Sequence, residues 1–291
     1  MGGQASTAGA GMLAPGGELS RQSYFAELLI HSMDLYPGFV AELSEASGIA
    51  IDYRVCGAIE TPENPDDWSA LLARTERQSG LGIAWERRGD SLYYPNDAIV
   101  DPGHIMAALR IACERAGVDI QEHSPVHRID DFAAQDVVLA AGAWSTEIEI
   151  PGFFLPEAFP MKGHLVGYDL PPGTLGPIRR RGDTYVLQRS NGFVVAGSTM
   201  EDKGFDTTVD PAIVDDLAGR AAALVPELRG LRPVRAWTGL RPQIAAEHPA
   251  IGRYGDSRLW LAYGHFRNGI LAAPATAEYI AATIISSWGK P

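Results

Sequence analysis

An α/β fold in which two domains interleave is the class predicted for this 291-residue chain. Three observations predict it. After Asp136, the run Val137-Val138-Leu139-Ala140-Ala141-Gly142-Ala143-Trp144-Ser145 is almost wholly apolar and passes through a glycine, as a strand buried on both faces of a parallel sheet does. Leu259-Trp260-Leu261-Ala262 leads through a Gly-bounded turn towards an apolar helix, Glu278 to Ser286. Two alternating apolar runs between Tyr185 and Thr199 flank Ser190-Asn191-Gly192, a hairpin signal. Strands feeding helices in some regions and antiparallel hairpins in others call for one layered part and one mixed-sheet part.

The other elements follow in order. From Ser20 to about Leu43, Phe25, Leu28, Leu29, Leu35, Tyr36, Phe39, Val40 and Leu43 fall at helical spacing, and Pro37 predicts a break or bend near Tyr36. Ile51 to Ile59 reads as a strand, Thr61 to Asp67 as a loop, and Trp68 to Gln78 as a helix. Asp101-Pro102 opens a helix with an N-cap and a first-turn proline; Ile105, Leu109 and Ala112 share its apolar face, and Gly117 ends it. A strand is expected over Val118 to Glu122, and another helix from Asp210-Pro211 to near Pro226.

Composition is that of a globular protein, 46% hydrophobic and 21% charged. A formal charge of −12 argues against nucleic acid or an anionic membrane as partner. Arg179-Arg180-Arg181, the one basic cluster, reads as a solvated strand entry. Cys56 and Cys113 are far apart in apolar surroundings, which suits free buried thiols in a reducing cytoplasm. No apolar run reaches the ~18 residues of a membrane span. The N-terminus lacks a charged-then-apolar leader.

The stretch from Tyr263 to Thr276 carries most of the chemistry. A strand that turns into a helix aims free N–H groups and a positive dipole end at whatever occupies the turn, and Arg267 stands in it. That suits a flat, anionic or electron-accepting group with a carboxylate nearby; an ordinary buried corner with Arg267 facing solvent is the alternative. Gly9-Ala10-Gly11-Met12-Leu13-Ala14 satisfies the pattern G-x-G-x-x-A, yet it is not a dinucleotide fingerprint. No apolar strand precedes it, Pro15-Gly16-Gly17 interrupts any following helix, and no acidic strand end appears about 20 residues on.

Gly264-His265-Phe266-Arg267-Asn268-Gly269-Ile270-Leu271-Ala272-Ala273-Pro274-Ala275-Thr276 resembles the C-terminal flavin-contacting segment of glycine oxidases of the thiamine pathway, in the D-amino-acid oxidase group of FAD-dependent enzymes. Three further segments agree in order: Ala8 to Pro15, Gly197-Ser198-Thr199-Met200-Glu201-Asp202, and Trp237-Thr238-Gly239-Leu240-Arg241-Pro242. The resemblance implies a Rossmann-like FAD domain at 1–48, 101–150 and 248–291, interleaved with a substrate domain at 49–100 and 151–247. One departure stands out. Members of the group begin with a strand–turn–helix bearing G-x-G-x-x-G, and on the order of 30 residues of such an opening are not matched here. Two readings stay open: a natural start upstream, favoured by the cost of an exposed parallel sheet edge, or a shortened homologue that has lost FAD binding or draws the face from a partner.

The resemblance implies oxidative deamination of glycine or a similar small amino acid, giving an imine, then glyoxylate and ammonia, with oxygen reduced to hydrogen peroxide. A non-catalytic remnant and a flavin dehydrogenase with another acceptor are the alternatives, and a homo-oligomer is left open. Arg241 and Arg267 match substrate-gripping positions; Arg241 is preferred for the carboxylate, against an ion pair with an acid such as Glu247. Tyr185 matches the tyrosine covering the pocket, and Met200 and Met12 match apolar positions near the ring. For noncovalent FAD, Ala10, Gly11 and Met12 match the segment along the isoalloxazine edge, and Ala5 and Ser6 match positions near the phosphates and ribitol. Val126 matches an adenine contact. His265, Phe266, Arg267, Asn268, Gly269, Ile270 and Leu271 match the loop at the pyrimidine side. No acid–base residue is assigned, because the flavin carries the redox chemistry.

Overall fold

The computed structural model describes residues 5–152 and 154–288, so the outermost residues of the expected first and last segments lie outside the described residues. In chain order the first half comprises β1 (Met12–Leu13), α1 (Pro15–Glu18), α2 (Tyr24–Ser47), β2 (Tyr53–Val55), β3 (Ala58–Glu60), α3 (Trp68–Ser79), β4 (Glu86–Arg88), β5 (Ser91–Tyr94), β6 (Ala98–Val100), α4 (Pro102–Arg115) and β7 (Val137–Leu139). The second half comprises β8 (Ala158–Asp169), β9 (Ile178–Arg181), β10 (Thr184–Gln188), β11 (Phe193–Gly197), α5 (Pro211–Leu224), β12 (Arg235–Ile244), β13 (Ala250–Arg253), β14 (Leu259–Tyr263) and α6 (Gly269–Trp288).

The strands form an eight-stranded sheet in the order β12-β8-β11-β10-β9-β3-β5-β4 and two three-stranded sheets, β1-β6-β2 and β13-β14-β7. Pairing is parallel at β3–β9 and at β14–β7, and antiparallel between the other neighbours. The mixed α/β class is therefore as expected, and so is the hairpin, with Tyr185 opposite Gly197. Both Asp-Pro helix starts form as read. The Asp101 carboxylate accepts from Gly103 N–H at 2.8 Å, and Asp210 accepts from Ala212 N–H at 2.8 Å.

Several expectations are corrected. Pro37 does not break α2, which runs unbroken for 24 residues. Ser23 caps its start, and Leu28, Leu29, Tyr36, Val40 and Leu43 bury one face in a core shared with α4 and α6. Each such side chain contributes roughly 1.5–3 kcal/mol, which outweighs one lost backbone bond. The expected strand 51–59 is two strands, because Gly57 turns at φ 72° between them. Val118 to Glu122 finds no neighbouring strand and is mostly exposed. The apolar run after Asp136 pairs only over β7, whose Val138 is 43% exposed, so it is not buried on both faces. Pro15-Gly16-Gly17 opens a single helical turn, since Gly16 and Gly17 lie against the Tyr94 ring and the Arg180 guanidinium, where a Cβ would collide. Arg180 itself is buried rather than solvated, 2.8 Å from Asp97 and 3.4 Å from Glu60.

The C-terminal helix starts at Gly269, nine residues before the expected Glu278, and contains Pro274. A proline at 274 deprives the Ile270 carbonyl of its helical partner. The buried Tyr36 hydroxyl donates to that carbonyl at 2.5 Å, so the helix continues through the proline. Residues Phe266–Trp288 form the one helical stretch among the described residues that is long and apolar enough to cross a membrane. Leu271, Ala272, Ala275 and Ile280 account for part of that apolarity, being buried in the protein.

Candidate active site

A cavity of about 660 Å³ lies where β1, β10, β12, β14 and the start of α6 converge. Its apolar walls include Ala8, Ala10, Met12, Val138, Ala140, Leu165 and Leu240. Register shapes one wall: Gly163 of β8 faces Gly239 of β12, so the strand pair presents no side chain there, and Arg241 follows two residues on, opposite Met161. A Cβ on Gly163 would fall on the Arg241 guanidinium. Gly264, at φ 83°, and Phe266, at φ 50°, turn the chain sharply between β14 and α6. This brings Asn268, Gly269 and Ile270, the start of a 20-residue helix, to the cavity wall. The Trp237 indole donates to Ala8 O at 2.9 Å and ties the N-terminal wall to β12.

Five polar side chains gather at one end: Glu18, Tyr185, Ser198, Arg241 and Arg267. Arg241 donates to neutral oxygens, at 2.7 Å to Ser198 Oγ, 3.1 Å to Thr199 O and 3.4 Å to Lys162 O. Burial holds its pKa below the ordinary guanidinium value without discharging it. Arg267, by contrast, is committed to carboxylates, 3.2 Å from Glu18 and 4.0 Å from Asp183. The Tyr185 phenol is raised by burial, so its hydroxyl stays protonated at neutral pH. His265 sits in the turn with its Nε2 3.1 Å from Thr276 Oγ1, and burial lowers its pKa to about 4. The residue keeps a partly accessible edge on the cavity.

Of the residues singled out from sequence, Ala5, Ser6, Ala10, Gly11, Met12, Tyr185, Arg241, His265, Phe266, Arg267, Asn268, Gly269 and Ile270 all line this cavity. Val126 lies in a neighbouring apolar cavity of about 560 Å³, which shares Val138 and Ala140 with the first. Leu271 points into the core shared with α2, at 2% exposure, because the helix turns it away from the wall. Met200 is 56% exposed and lines neither cavity, since the chain leaves the β11 strand end at Ser198 and carries it outward. Glu247, weighed as a partner for Arg241, pairs with Arg21 instead. Sequence reading missed Glu18, Ser198 and Gly163. Ser198 sat in a quoted segment, one residue after the hairpin ends; Glu18 gave no signal beyond its place after an unexpected helical turn.

Comparison with known proteins shows the family. A glycine oxidase of Geobacillus kaustophilus is 31% identical over 313 residues, spanning 97% of this chain and 83% of that protein. A glycine oxidase of Bacillus subtilis is 29% identical over 321 residues, spanning 98% of this chain and 84% of that protein. The crystal structure of the Geobacillus kaustophilus enzyme superposes with a TM-score of 0.91, over 99% of this chain and 86% of that one. The profile of the DAO family, described as FAD dependent oxidoreductase, matches residues 1–283, and the chain belongs to that family of FAD-dependent oxidoreductases.

Proposed function

We propose that the chain oxidises glycine or a similarly small amino acid, with oxygen as acceptor: glycine, oxygen and water become glyoxylate, ammonia and hydrogen peroxide. The observation that carries this reading is Arg241, a cation in the cavity wall whose protein partners are neutral oxygens. A guanidinium so placed offers a fork of donors to a carboxylate, and a carboxylate would supply the charge that the wall lacks. The cavity also fits the cofactor of the family. Its walls between Ala8 and Met12 and at Gly163, Gly239 and Gly264 are backbone or small side chains, which suits a flat ring. Gly269 and Ile270 would offer N–H groups and the positive end of α6 to the oxygen- and nitrogen-bearing pyrimidine edge, where negative charge is favoured. The adjoining cavity at Val126 extends the trough along β7, where the adenosine half would lie, with Ala5 and Ser6 towards the middle. FAD bound there would supply the two-electron acceptor.

The protein residues bind and orient. Arg241 would hold the carboxylate, and the protonated Tyr185 hydroxyl would add a neutral donor beside it. Arg267, neutralised by Glu18, would close the outer side without competing for the same anion. Tyr185, Leu165 and Leu240 line the same cavity and would limit the side chain on the α-carbon. The eight-stranded sheet, drawn from 58–94 and 158–244, supports assigning 49–100 and 151–247 to a substrate domain. Because β2 and β6 join β1 in a separate sheet, we place the seams near Gly57 and Asp97. The charge of −12 disfavours nucleic-acid partners, and the two free cysteines suit a reducing cytoplasm. The test is peroxide release from FAD-loaded protein with glycine, sarcosine and D-alanine. Peroxide in step with glyoxylate supports the reading; glyoxylate only with an artificial acceptor would make it a dehydrogenase, and neither product would refute it.

A further inference from the structure

The segment 198–210 leaves β11 beside the cavity and attaches to the middle of β8, at Lys162 and His164, and that attachment is polar for so buried a place. Lys162 and Glu201 exchange two backbone hydrogen bonds of 2.9 Å. His164 of β8 is fully buried, and its two ring nitrogens have distinct partners. Nε2 accepts from the Asp210 backbone N–H at 3.0 Å, so the proton of the neutral ring lies on Nδ1, which donates to Glu201 Oε1 at 2.7 Å. The same carboxylate oxygen accepts from the Thr199 hydroxyl, and Thr199 Oγ1 accepts from the His164 backbone N–H at 2.8 Å. Glu201 is held below the ordinary carboxylate range by these donors, against its partial burial. A buried histidine and carboxylate are costly to place unless their hydrogen bonds are met, and here each group is met.

The polar knot ends at the cavity. Thr199 O and Ser198 Oγ are the two shortest acceptors of Arg241, and neither belongs to a regular strand. Their positions depend on the turn that Thr199 and Glu201 fix to β8. We propose that His164 and Glu201 are positioning residues that set the orientation of Arg241, and through it the grip on the substrate carboxylate. This rests on the reading of Arg241 as the carboxylate anchor. Neither residue lines the cavity, so neither touches substrate. The pair acts on a binding contact that exists before and during reaction alike, so its loss should raise KM and leave kcat in place.

The decisive variants are Glu201→Ala and Glu201→Gln. Glutamine keeps one carbonyl oxygen to accept from both Thr199 and His164; alanine keeps none. On FAD-loaded protein, Glu201→Ala should raise KM for glycine and the inhibition constant of acetate together, by about tenfold, with kcat within about twofold. Glu201→Gln should restore both to within about twofold of the unaltered protein. Acetate-induced rise in Tm is measured alongside and needs no turnover: it should be lost in the alanine variant and kept in the glutamine variant. His164→Leu, which can neither accept nor donate, serves if Glu201→Ala does not fold, and should lose the acetate response. If no protein turns over glycine, the proposed activity fails while the acetate response still decides this point. Equal acetate responses in all variants, no response in the unaltered protein, or a fall in kcat with KM unchanged would overturn it.

Discussion

Arg241→Met separates a binding cation from a structural one, because the two readings give stability changes of different size. The arginine lies in the cavity wall, bonded to Ser198 Oγ, Thr199 O and Lys162 O, with its pKa pulled down by desolvation. Removing a cation whose neighbours are neutral oxygens relieves a desolvation cost, while three acceptors lose a donor and one of these is a hydroxyl free to turn. These effects oppose each other, and folding stability should change by no more than about 1 kcal/mol. Loss of a charge-assisted, two-pronged contact with a carboxylate costs about 3 kcal/mol, which is on the order of 100-fold in KM. The assay pairs urea unfolding of the apoprotein with steady-state peroxide release by the FAD-loaded enzyme. A drop in stability of more than about 3 kcal/mol, the cost of breaking a buried ion pair, with KM unaltered would refute the argument.

Other expectations follow from the same coordinates. Gly163→Ala should displace the Arg241 guanidinium and raise KM for glycine without touching the arginine itself, measured by steady-state kinetics beside a circular-dichroism check of folding. Tyr36→Phe should leave the Ile270 carbonyl unpaired at the start of α6 and cost about 1–3 kcal/mol in urea unfolding. His265, lowered from 6.5 to about 4, binds fewer protons folded than unfolded. Its contribution is therefore full above about pH 6.5 and is lost as pH falls towards 4, at most about 3 kcal/mol. Asp97, raised by burial from 3.8 to about 6 despite Arg180, binds more protons folded, so its contribution is full below 3.8 and is lost as pH rises through 6. Relative to the unaltered protein, His265→Gln should flatten the acid side of the stability profile, and Asp97→Asn should steepen it; chemical denaturation from pH 4 to 7 reads both.

Features legible in the sequence were those whose cause is local. Asp101-Pro102 and Asp210-Pro211 begin helices because a carboxylate and a proline serve the first turn from within it. Ser190-Asn191-Gly192 turns a hairpin for the same kind of reason. What escaped was settled at a distance. The helix expected from Glu278 begins at Gly269 and runs through Pro274, because Tyr36, from α2, caps the carbonyl that the proline orphans. Arg180 reads as solvated until Asp97 and Glu60 enclose it. In the site, resemblance found Arg241, Arg267 and Tyr185 by position, and the structure brings them together in one cavity. It could not find what each arginine is bonded to. Glu18 neutralises Arg267 through a helical turn that the run Pro15-Gly16-Gly17 seemed to forbid, and Met200 faces outward although its neighbour Ser198 lines the wall.

The visible absorption spectrum of the purified 291-residue chain, titrated with FAD and carried through gel filtration, tests the central claim most directly. The account expects flavin bands that travel with the protein and bleach when glycine is added without oxygen, with the bleaching weakened in Arg241→Met. A protein that emerges colourless after saturation with FAD, or one whose bands ignore glycine at any concentration, would contradict it.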